Sequence, residues 1–183
     1  MESIAAVKPS WRNGAAINFV LFQAGWLGCV LSAARGQAWL GVLGVAAIGG
    51  WHLAHAARPR AEARLMLLAA LLGIVWESVL ASGGWLVYPD GLAFGILAPY
   101  WLVAMWVLFA TTLNASLGWL RGKPWLAAAF GGVGGPLAFL AGERLGAVAF
   151  ARPAAATIAL ALGWALLTPL LTAIASRLSE HRP

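Results

Sequence analysis

The stretch Leu65-Met66-Leu67-Leu68-Ala69-Ala70-Leu71-Leu72-Gly73-Ile74-Val75-Trp76-Glu77-Ser78-Val79-Leu80-Ala81-Ser82 decides the fold class, because one carboxyl is its only ionisable group. A helix needs about 20 apolar residues to cross the hydrocarbon core of a bilayer, and it satisfies its backbone polar groups internally while doing so. Comparable apolar runs lie at 14–33, 38–56, 96–118, 125–145 and 155–176, so that with 65–82 the chain is expected to be a single all-α membrane domain, 1–183, of about six helices. A closed barrel would show short alternating segments instead. The whole chain agrees: 62% of its residues are hydrophobic and 10% charged, whereas a soluble domain carries about 25% charge.

The formal net charge of +6 does not indicate nucleic acid, since the basic residues stand singly or in short clusters between the apolar runs. With the N-terminus in the cytoplasm, the inner segments hold Lys8, Arg12, Arg58, Arg60, Arg64, Arg121, Lys123, Arg177 and Arg182, and the outer ones only Arg35, Arg144 and Arg152. That bias is the positive-inside pattern, so both ends are expected in the cytoplasm and the location to be a bacterial inner membrane. Trp11, Trp119 and Trp125 would lie at the inner interface, and Trp39, Trp85 and Trp101 at the outer one, depths that suit an amphipathic ring. The first run carries Asn18 and Gln23 and lacks a small-x-small cleavage site, so it reads as a helix and not as a signal peptide.

Helix five, 125–145, places Gly131, Gly135, Ala138, Gly142 and Gly146 in one narrow stripe. Small residues there let a second backbone approach, either within the bundle or across a homodimer seam. The run Gly131-Gly132-Val133-Gly134-Gly135-Pro136 is expected to kink or unwind, because the proline frees the carbonyl of Gly132, and Pro169 suggests a second bend in helix six.

An unpaired Asp at the bilayer centre costs about 2.5 to 3.5 kcal/mol, so an acid at such depth usually faces the interior and has a partner or a task. Glu77 is the main case, with Gly73 one turn before it and Ala81 one turn after. Glu143 lies toward the outer end of helix five, followed by Arg144, and Trp76, Tyr88, Asp90 and Arg35 fall in the same half of the molecule. Glu77 and Glu143 are therefore the candidate catalytic pair, for acid–base work or cation or proton binding, and Trp76, Tyr88 and Asp90 are candidate binding residues. The alternative is that Glu77 is a core carboxyl bonded to an Arg or Trp of another helix and Glu143 an interfacial charge.

In the inner half, Asn18, Gln23, Thr111, Asn114, Thr168 and Thr172 supply neutral polar groups. They are expected either to bond across helices or to line a polar cavity. His52 and His55 are three residues apart and could face one side, but zinc needs a third protein ligand, and the nearest acid, Glu62, follows a proline in the basic loop. No metal and no cofactor are expected. Cys29 stands alone and reads as a small core residue. No H-E-x-x-H, G-x-S-x-G, P-loop or dinucleotide fingerprint is present.

The residues Asn18-Phe19-Val20-Leu21-Phe22-Gln23-Ala24-Gly25-Trp26, Phe109-Ala110-Thr111-Thr112-Leu113-Asn114 and Gly134-Gly135-Pro136-Leu137-Ala138-Phe139, with Gly142 and Gly146, resemble a family of small bacterial inner-membrane proteins classified only as a domain of unknown function. The resemblance runs from helix one to helix five. It implies an acid at the position of Glu77 and an association with genes for cyclopropane-fatty-acid-synthase-like lipid modification, but no catalytic residue carries over. The leading expectation is a protein that handles, or supports modification of, a lipid or other apolar substrate. Its rivals are a small proton-coupled transporter or exporter and a non-catalytic assembly partner, and membrane lipids are the expected partners in each case.

Overall fold

The computed structural model describes residues 11–92 and 97–180, with side chains from Gly14 onward. Lys8, the side chains of Trp11 and Arg12, His181, Arg182 and the end of the loop near Gly95 lie outside the described residues. Among the described residues six α-helices follow one another: α1 (Trp11–Ala34), α2 (Ala38–His55), α3 (Pro59–Ser82), α4 (Tyr100–Leu113), α5 (Pro124–Arg144) and α6 (Pro153–Glu180). Five of them, all but α4, are long and apolar enough to cross a membrane.

The loops between helices gather at two ends. One end holds the turns near Arg58 and 114–123 together with the C-terminal part of α6, and is called the basic end below. The other holds the turns 35–37 and 145–152 and the segments 83–92 and 97–99. Two short strands there, β1 (Leu86–Val87) and β2 (Ala149–Phe150), pair antiparallel, and the carbonyl of Trp85 accepts from the N–H groups of Ala151 and Arg152. The long loop after α3 is thus pinned to the α5–α6 turn, giving a strand-paired end.

Helix α3 begins earlier than its apolar run. Pro59 occupies the first turn, where a missing N–H costs nothing and the fixed φ suits a helix, so Glu62 sits on the helix and not in a loop. Helix α4 is the larger departure from the expected 96–118. Its 14 residues rise only about 21 Å, short of a core about 30 Å thick. Pro99 sets its start, its carbonyl accepting from Leu102 and Val103, and the chain turns at Asn114 into a 3₁₀ turn at Gly118–Leu120. Ten of the 14 residues are buried, because α4 packs against α1, α2 and α3 and touches α6. It forms the core, so it has no need to span.

The expected unwound turn in α5 is not there: the helix continues through Pro136, and α6 likewise runs through Pro169. Helix α5 pairs with α6 along its length, the most extensive helix pairing among the described residues. A Cβ on Gly131 would collide with the carbonyl of Trp164 and the side chain of Thr168, and one on Gly135 with the Trp164 ring. The glycine stripe thus receives α6 of the same chain at these two positions. At Gly142 and Gly146 a Cβ would meet only ordinary contacts, with Val148 and Ala34.

The first backbone N–H groups of α2, which a helix cannot satisfy itself, find partners from elsewhere. Ala38 donates to Asp90 Oδ2 at 3.1 Å, and Gly41 donates to Ser32 Oγ at 3.1 Å. Gly41 also lies directly against the backbone of Cys29, which is fully buried as expected of a small core residue.

Candidate functional site

Helices α1 and α5 stand apart, and between them a chamber of about 420 Å³ opens. Its floor is α4, through Trp101, Leu102, Met105, Trp106, Phe109 and Thr112. Its walls are Phe22, Gln23 and Trp26 of α1, Gly131, Gly134, Gly135 and Phe139 of α5, and Trp164 and Thr168 of α6. At the rim Phe19, Phe130 and Leu137 are 54%, 39% and 59% exposed, so the opening faces the surface that a bilayer would cover. The lining is overwhelmingly apolar and aromatic, as ligand sites of a few hundred Å³ usually are.

Glu77 borders the chamber at its floor, beside Trp106, and is fully buried. Its Oε1 accepts from Trp106 Nε1 at 3.0 Å, and its Oε2 accepts from the Tyr88 hydroxyl at 3.4 Å. Burial, and then the neighbouring Glu77, push the Tyr88 hydroxyl well above the ordinary tyrosine range, so it remains a neutral donor. Gly73, one turn before Glu77, is where the Trp106 ring rests; any Cβ there would strike that ring. Trp106 in turn stacks on Trp164, with ring centroids 4.7 Å apart and planes at 14°, and Phe109 meets Trp164 edge-on at 5.3 Å. A carboxyl on α3 therefore fixes an indole on α4, which fixes a second indole on α6, and both indoles face the chamber.

The other expected site residues are distributed around this axis. Glu143 is outside the chamber lining: its Oε1 accepts from the Phe150 backbone N–H at 2.9 Å and clasps the α5–α6 turn. The two glutamates share no hydrogen-bond partner. Asp90 caps α2, and its carbonyl takes the Trp101 N–H at 3.2 Å; Trp101 is 2% exposed and packs in the core. Trp76 packs against Gly163, with its Nε1 buried and unpartnered. Gln23 lines the chamber and is exposed at its rim.

Asn18 joins α1 to the end of α4, donating to the Thr111 carbonyl at 3.1 Å and accepting from Ser116 Oγ at 2.7 Å. The hydroxyls of Thr111, Thr112 and Thr172 do not bond across helices. They donate to the carbonyls of Leu108, Phe109 and Pro169, three residues earlier in their own helices, the local alternative always open to a helical threonine.

At the basic end Glu62, 9% exposed, accepts from Asn114 Nδ2 at 2.9 Å and pairs with His52 Nε2 at 3.1 Å. Asn114 Oδ1 accepts from Arg121 at 2.6 Å and from Ser179 at 3.3 Å, and Arg58 bonds the Ser179 carbonyl. His55 turns away, its Nδ1 on the Trp51 carbonyl at 2.8 Å, so the two histidines do not share a target. This network ties α2, α3, α4 and α6 together. The sequence alone did not suggest it, because Glu62 read as a loop residue and Asn114 as a residue inside a longer helix.

Five helices of membrane-crossing length around a short buried one, with an aromatic chamber open on the apolar flank, define a multi-pass membrane protein with an interior apolar site. The chain belongs to the family described as "Protein of unknown function (DUF2878)", whose match covers residues 15–170. No curated protein and no solved structure matches it.

Proposed function

We propose that this protein takes a lipophilic molecule from the bilayer into the α1–α5 chamber and holds it there for handling or modification, in a bacterial inner membrane with both ends in the cytoplasm. The observation that carries the reading is the chamber itself: about 420 Å³, walled by aromatic side chains and rimmed by exposed Phe19, Phe130 and Leu137. An aqueous solute would gain little from such walls, whereas an apolar chain gains by leaving a less well-packed surrounding for close contact with them. The cluster of basic residues at the end carrying Arg58, Arg121 and Lys123 supports the orientation.

Glu77 acts in this reading as a positioning residue that holds Trp106, and through it Trp164, at the floor. The test compares whole-cell lipid profiles of wild type, a deletion strain and strains producing folded Glu77→Gln and Gly134→Trp. Gly134 lines the chamber, and a Cβ there meets nothing within 4 Å, so a large side chain fills the space without disturbing α6. The expected result is that deletion and Gly134→Trp alter the same lipid species. If neither changes any lipid, the reading falls. The second reading, a proton-coupled exporter, is favoured by the complete burial of Glu77 in the span; it requires substrate flux that follows a proton gradient and stops in Glu77→Gln.

A further inference from the structure

The chamber wall is selective in charge. Among the described residues that line it there is no lysine, arginine or histidine. An anionic headgroup would enter with no counter-charge, an arrangement that desolvation disfavours strongly. A cationic headgroup would have one acid to seek, Glu77, which borders the chamber as well, but each of its carboxyl oxygens already accepts a hydrogen bond, from Trp106 and Tyr88. A cation there would have to compete with both of those donors.

What the wall leaves without a partner is neutral. Nε1 of Trp164 and Oγ1 of Thr168 are both buried and make no hydrogen bond; both residues line the chamber and stand one turn apart on the same face of α6. An indole N–H can only donate, and a hydroxyl can donate or accept. A buried donor without an acceptor is costly, and an acceptor oxygen on a ligand would remove that cost. Gln23, across the chamber at the rim, adds an amide that both donates and accepts.

Resting on the chamber reading above, we propose that the occupant is an uncharged lipid carrying a hydrogen-bond-accepting oxygen, as carbonyl or hydroxyl. That oxygen takes the Trp164 N–H and the Thr168 O–H while the apolar chain lies along the aromatic wall and leaves between α1 and α5. Acylglycerols and quinones both present such oxygens.

The experiment is a native mass spectrometry titration of the delipidated full chain in detergent with probes that differ in head chemistry. Monooleoylglycerol, oleate and oleylamine share one chain, and decylubiquinone is a second neutral arm; Gly134→Trp is run throughout as the plugged control. At least tenfold tighter binding of a neutral probe than of oleate or oleylamine, abolished by Gly134→Trp and weakened about tenfold by Trp164→Phe with Thr168→Val, is the expected result. The neutral arm that binds more tightly identifies the source of the oxygen. Plug-sensitive binding in which oleate or oleylamine equals or exceeds both neutral probes overturns the inference and leaves the chamber reading standing. Binding of no probe in a plug-sensitive manner overturns both. The wild-type series decides the matter even if the double variant does not fold.

Discussion

At the residue scale the molecule turns on how one buried carboxyl is satisfied. The bond from Trp106 to Glu77 at 3.0 Å has ordinary length for an N–H donor, while the one from Tyr88 at 3.4 Å is long for a hydroxyl. Tyr88→Phe is therefore expected to cost less than about 1 kcal/mol, since it removes a weak bond and leaves Glu77 one good donor. Glu77→Ala leaves the indole N–H unsatisfied and a hole at the floor, and is expected to cost about 2 to 4 kcal/mol. Glu77→Gln keeps an acceptor oxygen for Trp106 and should fall near the tyrosine variant. Thermal unfolding in detergent, followed by size-exclusion chromatography, ranks the three. An order in which Tyr88→Phe is the most damaging would mean that the carboxyl is held from the loop and not from α4.

Adjacent residues give the sharpest contrast at the scale of the element. Gly134 and Gly135 follow one another on α5, yet one faces empty space and the other the Trp164 ring. Gly134→Leu is expected to fold at least as well as wild type, gaining up to about 1 kcal/mol of helix propensity. Gly135→Leu should drive Trp164 out of its stack with Trp106 and separate α5 from α6, with loss of the monodisperse folded peak. Equal behaviour of the two would contradict the helix register described for α5. The same logic separates Gly131, which meets the α6 backbone, from Gly142, whose Cβ would touch only Val148 at 3.5 Å. Gly142→Ala should be nearly silent in the isolated chain. A large effect of Gly142→Leu on an assembled state, with the isolated chain intact, would point to the homodimer seam that the stripe allows.

For the molecule as a whole, two ends of different chemistry close one bundle. The strand-paired end is held by backbone bonds and two carboxylates, Asp90 and Glu143, that accept from N–H groups. The basic end is held by side chains around Glu62 and Asn114. Asn114→Leu is expected to cost about 1 to 3 kcal/mol, because it leaves Glu62 with His52 alone and releases Arg121 and Ser179. Orientation is open to a direct measurement with Cys29→Ala as background: Arg60→Cys should be shielded from an impermeant maleimide in intact cells, and Arg152→Cys labelled. The reverse pattern would place the basic end outside.

The number and order of the helices were legible in the chain because apolar runs of bilayer length have few other outcomes. That Glu77 would face the interior was legible for the same reason, an acid in a stretch with no other charge. The extent of α4, the strand pair and the chamber were not, since each depends on which segments meet. Only packing shows that α4 is surrounded and can be short, that Trp85 and Ala151 lie side by side, or that Glu62 faces Asn114. Hydropathy also cannot tell Gly134 from Gly135, as both are glycines in one apolar helix. Both border the chamber, but the placement of α6 against Gly135 and of open space beside Gly134 makes one a packing contact and leaves the other room for a side chain. The sequence by itself determined an all-α bundle with an acid set within one apolar helix; the tertiary structure alone decided that the acid holds an indole, because a carboxyl's partner is set by whichever helix is brought beside it.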